Sequence, residues 1–223
     1  YSKKAVITLE KFLDTTFVKL YDGVNLELPE GFELSEVLKN YHVVICPNHQ
    51  SHADYIAINY MFFKKYDRML FVAGGDNLNI FPIGKLFRKS GCFFIRRSFQ
   101  NDILYKFTME AYLFALLKRK QPIEFFFEGG RTRSGKLRPP KYGLYQMLLE
   151  AHSHLPDSKE RGLAFVPVSI AHEYVPEQRA LAKEMMGGKK VKESTSQIFG
   201  LFKLMAYQFG KIHINLGKPE YAH

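Results

Sequence analysis

Long apolar runs are missing from this chain. No stretch reaches about 18 uncharged apolar residues, so no segment reads as a transmembrane helix and any membrane contact is expected to be peripheral. Cysteine is scarce: Cys46 and Cys92 sit inside apolar runs with neither Cys-x-x-Cys spacing nor a disulfide framework, which points to a reducing compartment. Repeats, low-complexity linkers and composition breaks are also lacking, so nothing requires a second domain. The start shows no secretory or transit segment and begins at Tyr1 rather than Met, which reads as a fragment or a processed product. What remains is globular: 223 residues, 46% hydrophobic and 24% charged, enough for one sizeable core or two small ones and unlike disordered, collagen-like or coiled-coil chains.

Charge is present in excess of one sign, and its position is informative. Residues 85–141 hold 14 Lys/Arg and 4 Asp/Glu, a net +10, whereas the rest of the chain holds 18 of each. The whole excess therefore lies in one central quarter, as an anion site requires and a generally basic coat does not. Nucleic acid, phosphorylated metabolites and anionic lipid head groups are the partners to weigh.

Apolar runs of strand length alternate with segments of helical period, the pattern of an α/β domain. Strands are expected at 41–46, 69–73, 92–95, 123–127, 163–171 and 212–216, and helices at about 53–65, 102–120, 144–152 and 196–209. Residues 1–38 read as a helical arm, with Ala5, Leu9, Phe12, Leu13, Phe17 and Leu20 near the helical period. The division placed on this basis is an arm over 1–40 and a catalytic domain over 41–223.

The first motif is Pro47-Asn48-His49-Gln50-Ser51-His52-Ala53-Asp54, between a strand and a helix. Five residues apart on one helix, His49 and Asp54 would point about 140° apart, so they meet only if His49 lies in the turn before it. Ser51 as N-cap with Asp54 three residues on marks that helix start. Two readings stand side by side. Asp54 completes the cap and His49 is a loop histidine, or Asp54 orients His49 so that its imidazole removes a hydroxyl proton near neutral pH. His49, His52 and Asp54 also imitate a metal cluster, but no further ligand stands at a suitable spacing, and no metal is expected. His52 reads as an exposed residue of the first helical turn.

A second segment, Gly91-Cys92-Phe93-Phe94-Ile95-Arg96-Arg97, is a strand ending in two arginines, where a phosphate can be held bidentately. In a third, Phe126-Phe127-Glu128-Gly129-Gly130-Arg131-Thr132-Arg133-Ser134-Gly135-Lys136, a strand runs into a Gly/Arg loop. It imitates a nucleotide-binding P-loop, but Leu137 stands where Ser or Thr should reach magnesium, and Pro139-Pro140 blocks the following helix. The glycine turn beside Arg131, Arg133 and Lys136 instead suits a phosphate or a developing oxyanion. Glu128 is a second carboxylate for the chemistry or a buried ion-pair partner of one of these arginines. A fourth segment, 165–174, reads as a core strand running into a turn, and 187–194 as a flexible basic loop.

Together these segments resemble the glycerol-3-phosphate acyltransferase family, in its glycerol-phosphate and dihydroxyacetone-phosphate branch. The blocks His-x4-Asp, Gly-x-x-Phe-Ile-Arg-Arg, Phe-x-Glu-Gly-x-Arg-x-Arg and Val-Pro-Val stand in order at 49–54, 91–97, 126–133 and 166–168, with further likeness at 77–80, 192–194 and 215–219. The resemblance implies a mixed central sheet flanked by helices, and acyl transfer from acyl-CoA or acyl carrier protein to the sn-1 hydroxyl of glycerol 3-phosphate, giving lysophosphatidic acid in the first step of phospholipid biosynthesis, with no cofactor. His49 is then the base and Asp54 its partner. Arg96, Arg97, Arg131 and Arg133 hold the acceptor phosphate, Glu128 is counted with the binding residues, and amides around Gly129 and Gly130 stabilise the oxyanion. The dihydroxyacetone-phosphate branch usually carries Thr where Gly130 stands, which favours glycerol 3-phosphate. The lysophosphatidic acid acyltransferases share the first motif but are less similar in the Arg131-Thr132-Arg133 loop.

Two expectations complete the reading. The protein works at an anionic membrane surface without crossing it, peripherally on the cytoplasmic face, through the arm with Phe12, Leu13, Phe17 and Leu20 or the segment with Ile198, Phe199, Leu201, Phe202, Leu204, Met205 and Phe209. The rival class is a nucleic-acid-binding module, since basic residues interleave with Phe and Tyr. It lacks an RNP-type signature, and Phe93-Phe94 and Phe125-Phe126-Phe127 read as core, so no nucleic-acid partner is expected.

Overall fold

The strand β2 (His42–Pro47) is buried at all six positions, as an apolar run must be when strands flank it on both sides and helices cover both faces. In the computed structural model, which describes residues 2–79, 81, 83–96, 102–178, 182, 186 and 208–222, β2 pairs in parallel with β6 (Leu163–His172) and with β5 (Ile123–Glu124). The sheet continues from β5 to β3 (Phe71–Gly75) and β4 (Phe93–Ile95), all parallel. On the far side β7 (Lys211–Leu216) runs antiparallel to β6, and β1 (Gly23–Glu27) closes that edge parallel to β7. The order is β1-β7-β6-β2-β5-β3-β4, with the short β8 (Glu220–Ala222) on the other end of β6. The expected mixed sheet is thus the architecture found.

Alternation along β2 sorts the core into two layers. Val43 and Ile45 face α2 (Leu34–Asn40) and α3 (Asp54–Tyr66), packing with Ala57, Ile58 and Phe62 and with Val166, Val168 and Ile170 of β6. Val44 and Cys46 face α5 (Ile103–Lys118) and α6 (Gly143–Ser153), packing with Leu113, Leu117, Met147 and Leu148. The start of α5 is set by Asp102, whose side chain accepts from Tyr105 N at 2.9 Å. Two further helices among the described residues are α1 (Lys3–Leu20) and α4 (Ile83–Lys89).

Several boundaries differ from expectation for identifiable reasons. Residues 23–27, read as part of the helical arm, form β1, and only 3–20 continue as α1. The strand expected over 123–127 keeps ladder pairing only at Ile123–Glu124. Phe125 N still donates to Ile45 O (3.1 Å), but Gly129, at φ +63°, then turns the chain and donates to Phe126 O (2.9 Å). The basic loop 187–194 and residues 196–207 of the expected final helix lie outside the described residues, and Gln208 and Phe209 are not helical. Among the described residues no helix is long and apolar enough to cross a membrane.

Candidate active site

His49 lies two residues beyond β2, at the carboxyl edge of the parallel strands, where α/β proteins place their ligands. The path to it is pinned to β6: Asn48 Nδ2 donates to Ile170 O (3.1 Å) and Asn48 Oδ1 accepts from Ile170 N (2.7 Å), extending the ladder through a side chain. The Gly/Arg loop then grips His49 by its own backbone. His49 N donates to Glu128 Oε1 (3.1 Å), and His49 O accepts from Thr132 N (2.7 Å). Its ring stacks on Phe126, with centroids 4.0 Å apart and planes 27° apart. The first and third motifs are therefore one device.

The turn geometry required for the dyad is present. His49 Nδ1 lies 2.8 Å from Asp54 Oδ2, the carboxylate being fully buried and the imidazole 12% exposed. Asp54 Oδ2 also accepts from Gln50 N (2.7 Å) and Ser51 N (2.9 Å), so the same carboxylate oxygen closes the turn and meets His49. The N-cap is Ala53 rather than the expected Ser51: helix α3 begins at Asp54 itself, because the turn runs on for two more residues with Ser51 Oγ accepting from Ala53 N (3.1 Å). Burial would raise the Asp54 pKa, but the hydrogen bonds from His172 and His49 and their charges overcome it and hold the group well below the usual carboxylate range. The bond to His172 Nε2, at 2.6 Å on Oδ1, has no counterpart in the motif.

A groove of about 1380 Å³ opens in front of His49. Its lining includes the cations Arg96, Lys106, Arg131, Arg133, Arg138 and Lys141, together with apolar residues such as Val6, Leu9 and Leu13 of α1 and Ile56 and Phe63 of α3. Gly129 and Gly130 line it at the turn, and their lack of side chains has a use: a Cβ on Gly129 would stand 2.8 Å from Lys141 Cδ, and one on Gly130 2.9 Å from Arg138 Nη1. Arg131, largely buried, pairs with Glu177 Oε1 (3.4 Å). The same Glu177 accepts from His52 N (3.0 Å) and Ser51 Oγ (2.7 Å), coupling the turn before α3 to the arginine loop.

Of the residues expected at the site, His49, Asp54, Gly129, Gly130, Arg131 and Arg133 converge here. Arg96 stands at the rim, paired with Asp102 (2.9 Å) and stacked over Tyr105. Arg97 lies outside the described residues. Glu128 is fully buried, and its second oxygen accepts from Arg138 N (2.8 Å), so it holds the loop from behind. His52 is buried rather than exposed, because the segment carrying Glu177 covers the turn. Burial pushes both thiols, Cys46 and Cys92, up to about 12, which leaves neither as a nucleophile at neutral pH.

Sequence reasoning missed His172, Glu177, Arg138, Lys141 and Lys106. A signal existed for the first, since the inward alternation Val166, Val168, Ile170 continues to His172. None existed for Glu177, which lies 126 residues from Ser51.

The acyltransferase family profile matches residues 31–171, and that of the glycerol-3-phosphate acyltransferase C-terminal region matches 181–221. The chain belongs to the acyltransferase family. It is 36% identical over 219 residues to a glycerol-3-phosphate acyltransferase of Pseudomonas fluorescens (strain SBW25), covering 98% of this chain and 26% of that protein. It is 37% identical over 224 residues to one of Shewanella woodyi, covering 100% of this chain and 27% of that protein. The chain thus spans about a quarter of the length of these curated relatives. The crystal structure of the 1-acyl-sn-glycerophosphate (LPA) acyltransferase from Thermotoga maritima shares the fold, with TM-score 0.52 and 18% identity over 96% of this chain and 67% of that one.

Proposed function

We propose that this acyltransferase moves an acyl chain from an acyl-CoA or acyl carrier protein thioester to the sn-1 hydroxyl of glycerol 3-phosphate, giving lysophosphatidic acid. The carrying observation is His49 Nδ1 on a buried Asp54 at 2.8 Å, at a groove lined by both cationic and apolar residues. Arg131, Arg133, Arg96 and Arg97 bind the acceptor phosphate, helped by Arg138 and Lys141, and the apolar lining takes the acyl chain. Glu128 serves binding through the loop it braces. With Nδ1–H donated to Asp54, Nε2 takes the hydroxyl proton as the oxygen attacks the thioester carbonyl. The C–O bond forms, the oxyanion gathers at the Gly130 turn, and its collapse breaks the C–S bond while His49 returns its proton to the thiolate. Gly129 N–H is already given to Phe126 O, which leaves the oxyanion role to Gly130.

The groove's mouth faces an anionic membrane surface in this proposal, peripherally and on the cytoplasmic face. Phe81, Ile103, Leu104, Phe107, Leu137 and Tyr142 are 64–78% exposed, and all follow the carboxyl ends of β3, β4 or β5, on the rim that bears the site and the basic residues. Leu13 and Leu20 of α1, in contrast, pack against the core. Nucleic acid fits less well, because Phe93 and Phe125 are buried and unavailable for stacking.

The test supplies labelled glycerol 3-phosphate, dihydroxyacetone phosphate and lysophosphatidic acid, each with acyl-CoA and acyl carrier protein donors. Glycerol 3-phosphate is expected to be acylated fastest, and preference for either other acceptor overturns the assignment. Vesicles of anionic lipid should co-sediment the protein at low salt and release it at high salt.

A further inference from the structure

Asp54 carries two histidines, one on each oxygen. Oδ2 takes His49 Nδ1 at 2.8 Å and Oδ1 takes His172 Nε2 at 2.6 Å, with the His172 and Asp54 side chains both fully buried. The strand explains the placement: Val166, Val168 and Ile170 of β6 point into the layer beneath α3, and His172 is the next residue of that face. Since its carboxylate acceptor lies at Nε2, His172 carries its proton there. Its Nδ1 is buried without a hydrogen-bond partner among the described residues, so the ring's one satisfied polar atom is the Nε2 that faces Asp54. The two histidines are therefore unequal: the His172 side chain is fully buried behind Asp54, whereas the His49 ring is 12% exposed at the groove.

We propose that His172 is a positioning residue for acyl transfer, fixing the Asp54 carboxylate from behind so that Oδ2 stays on His49. By donating to Oδ1 it also withdraws part of the carboxylate's charge, which moderates the pull of Asp54 on the His49 imidazolium and eases return of the proton to the leaving thiolate. This rests on the reading of His49 as the base. The other titratable or charged groups facing the trio are Tyr21, Tyr55, His52, Glu124, Glu128 and the Glu177–Arg131 pair, and all are retained in the variants below.

The experiment pairs His172→Gln, whose amide nitrogen reaches the position of Nε2, with His172→Asn, whose amide falls short of it. The Asn variant should lose about 10- to 100-fold in kcat with KM for glycerol 3-phosphate changed by less than about threefold, and the acid limb of its kcat/KM profile should move up by about 0.5–1 pH unit. The Gln variant should stay within about fivefold of native turnover with the native limb. NMR titration of the His49 imidazole without substrate should show the same upward displacement for Asn alone, which separates this proposal from the choice of acyl acceptor. Equal behaviour of the two variants, or a lower Tm for Asn with native titration and turnover, would make His172 a packing residue and overturn the proposal. Should the Asn variant fail to fold, the Gln variant decides: near-native turnover with the native limb supports the donor role, and a displaced limb contradicts it.

Discussion

Two His–Asp pairs stand at opposite ends of β2, and they are buried in opposite senses. At the amino end the histidine is the buried partner: His42 is 2% exposed, its Nε2 lies 3.7 Å from the more open Asp157, and neither ring nitrogen has a hydrogen-bond partner among the described residues. Burial, followed by the charge of Arg161, pulls its pKa down to about 4, so it stays neutral. At the carboxyl end the carboxylate is the buried partner, saturated by two imidazoles and two amides, and His49 keeps one face to the groove. Adjacency of His and Asp is thus not the signal. Which of the two is desolvated is what separates the pairs.

The sharpest way to break this comparison is at the carboxylates. Asp54→Asn should lower kcat by at least about 10²-fold, because the amide cannot hold the His49 tautomer or answer its charge. Asp157→Asn should leave kcat within about twofold, and comparable losses in the two would erase the distinction. Next in size, if Arg131 binds the acceptor phosphate as proposed, Arg131→Ala should lose a charge-assisted contact of about 1.5–3 kcal/mol and raise KM for glycerol 3-phosphate roughly 10- to 150-fold with little effect on KM for the acyl donor. Equal effects on both substrates would assign Arg131 to the fold.

The smallest effect concerns pH and stability. Below its ordinary value of 6.5, His42 in the unfolded chain binds a proton that the folded chain refuses until about pH 4. Stability should therefore fall as pH falls through that window, by at most about 1.4 kcal/mol per pH unit from this group. Asp54, held below its ordinary 3.8, keeps its contribution throughout the same window. Urea unfolding at pH 7 and pH 5 should show a smaller loss in His42→Leu than in the native chain, and identical losses would clear His42 of the effect.

What could be read from the sequence was local. Pro47, the five-residue spacing and the Ser51 start signal placed His49 opposite Asp54, and the run from Glu128 to Arg133 announced an anion loop. Less legible was anything requiring segments far apart to meet. Glu128 resembled an arginine's partner, yet its oxygens take the amides of His49 and Arg138, a pairing visible only once β2 and β5 are neighbours. His172, the last residue of β6, and Glu177, five residues further on, reach the same turn, and β1 was hidden because a five-residue edge strand between helices carries little periodicity.

The central claim is that proton transfer belongs to the carboxyl-end histidine. Single-turnover acyl transfer to glycerol 3-phosphate should be measured in folded His49→Ala and His42→Ala proteins side by side. The account predicts a loss of at least about 10²-fold in the first and less than about threefold in the second. Near-native turnover in His49→Ala would contradict it.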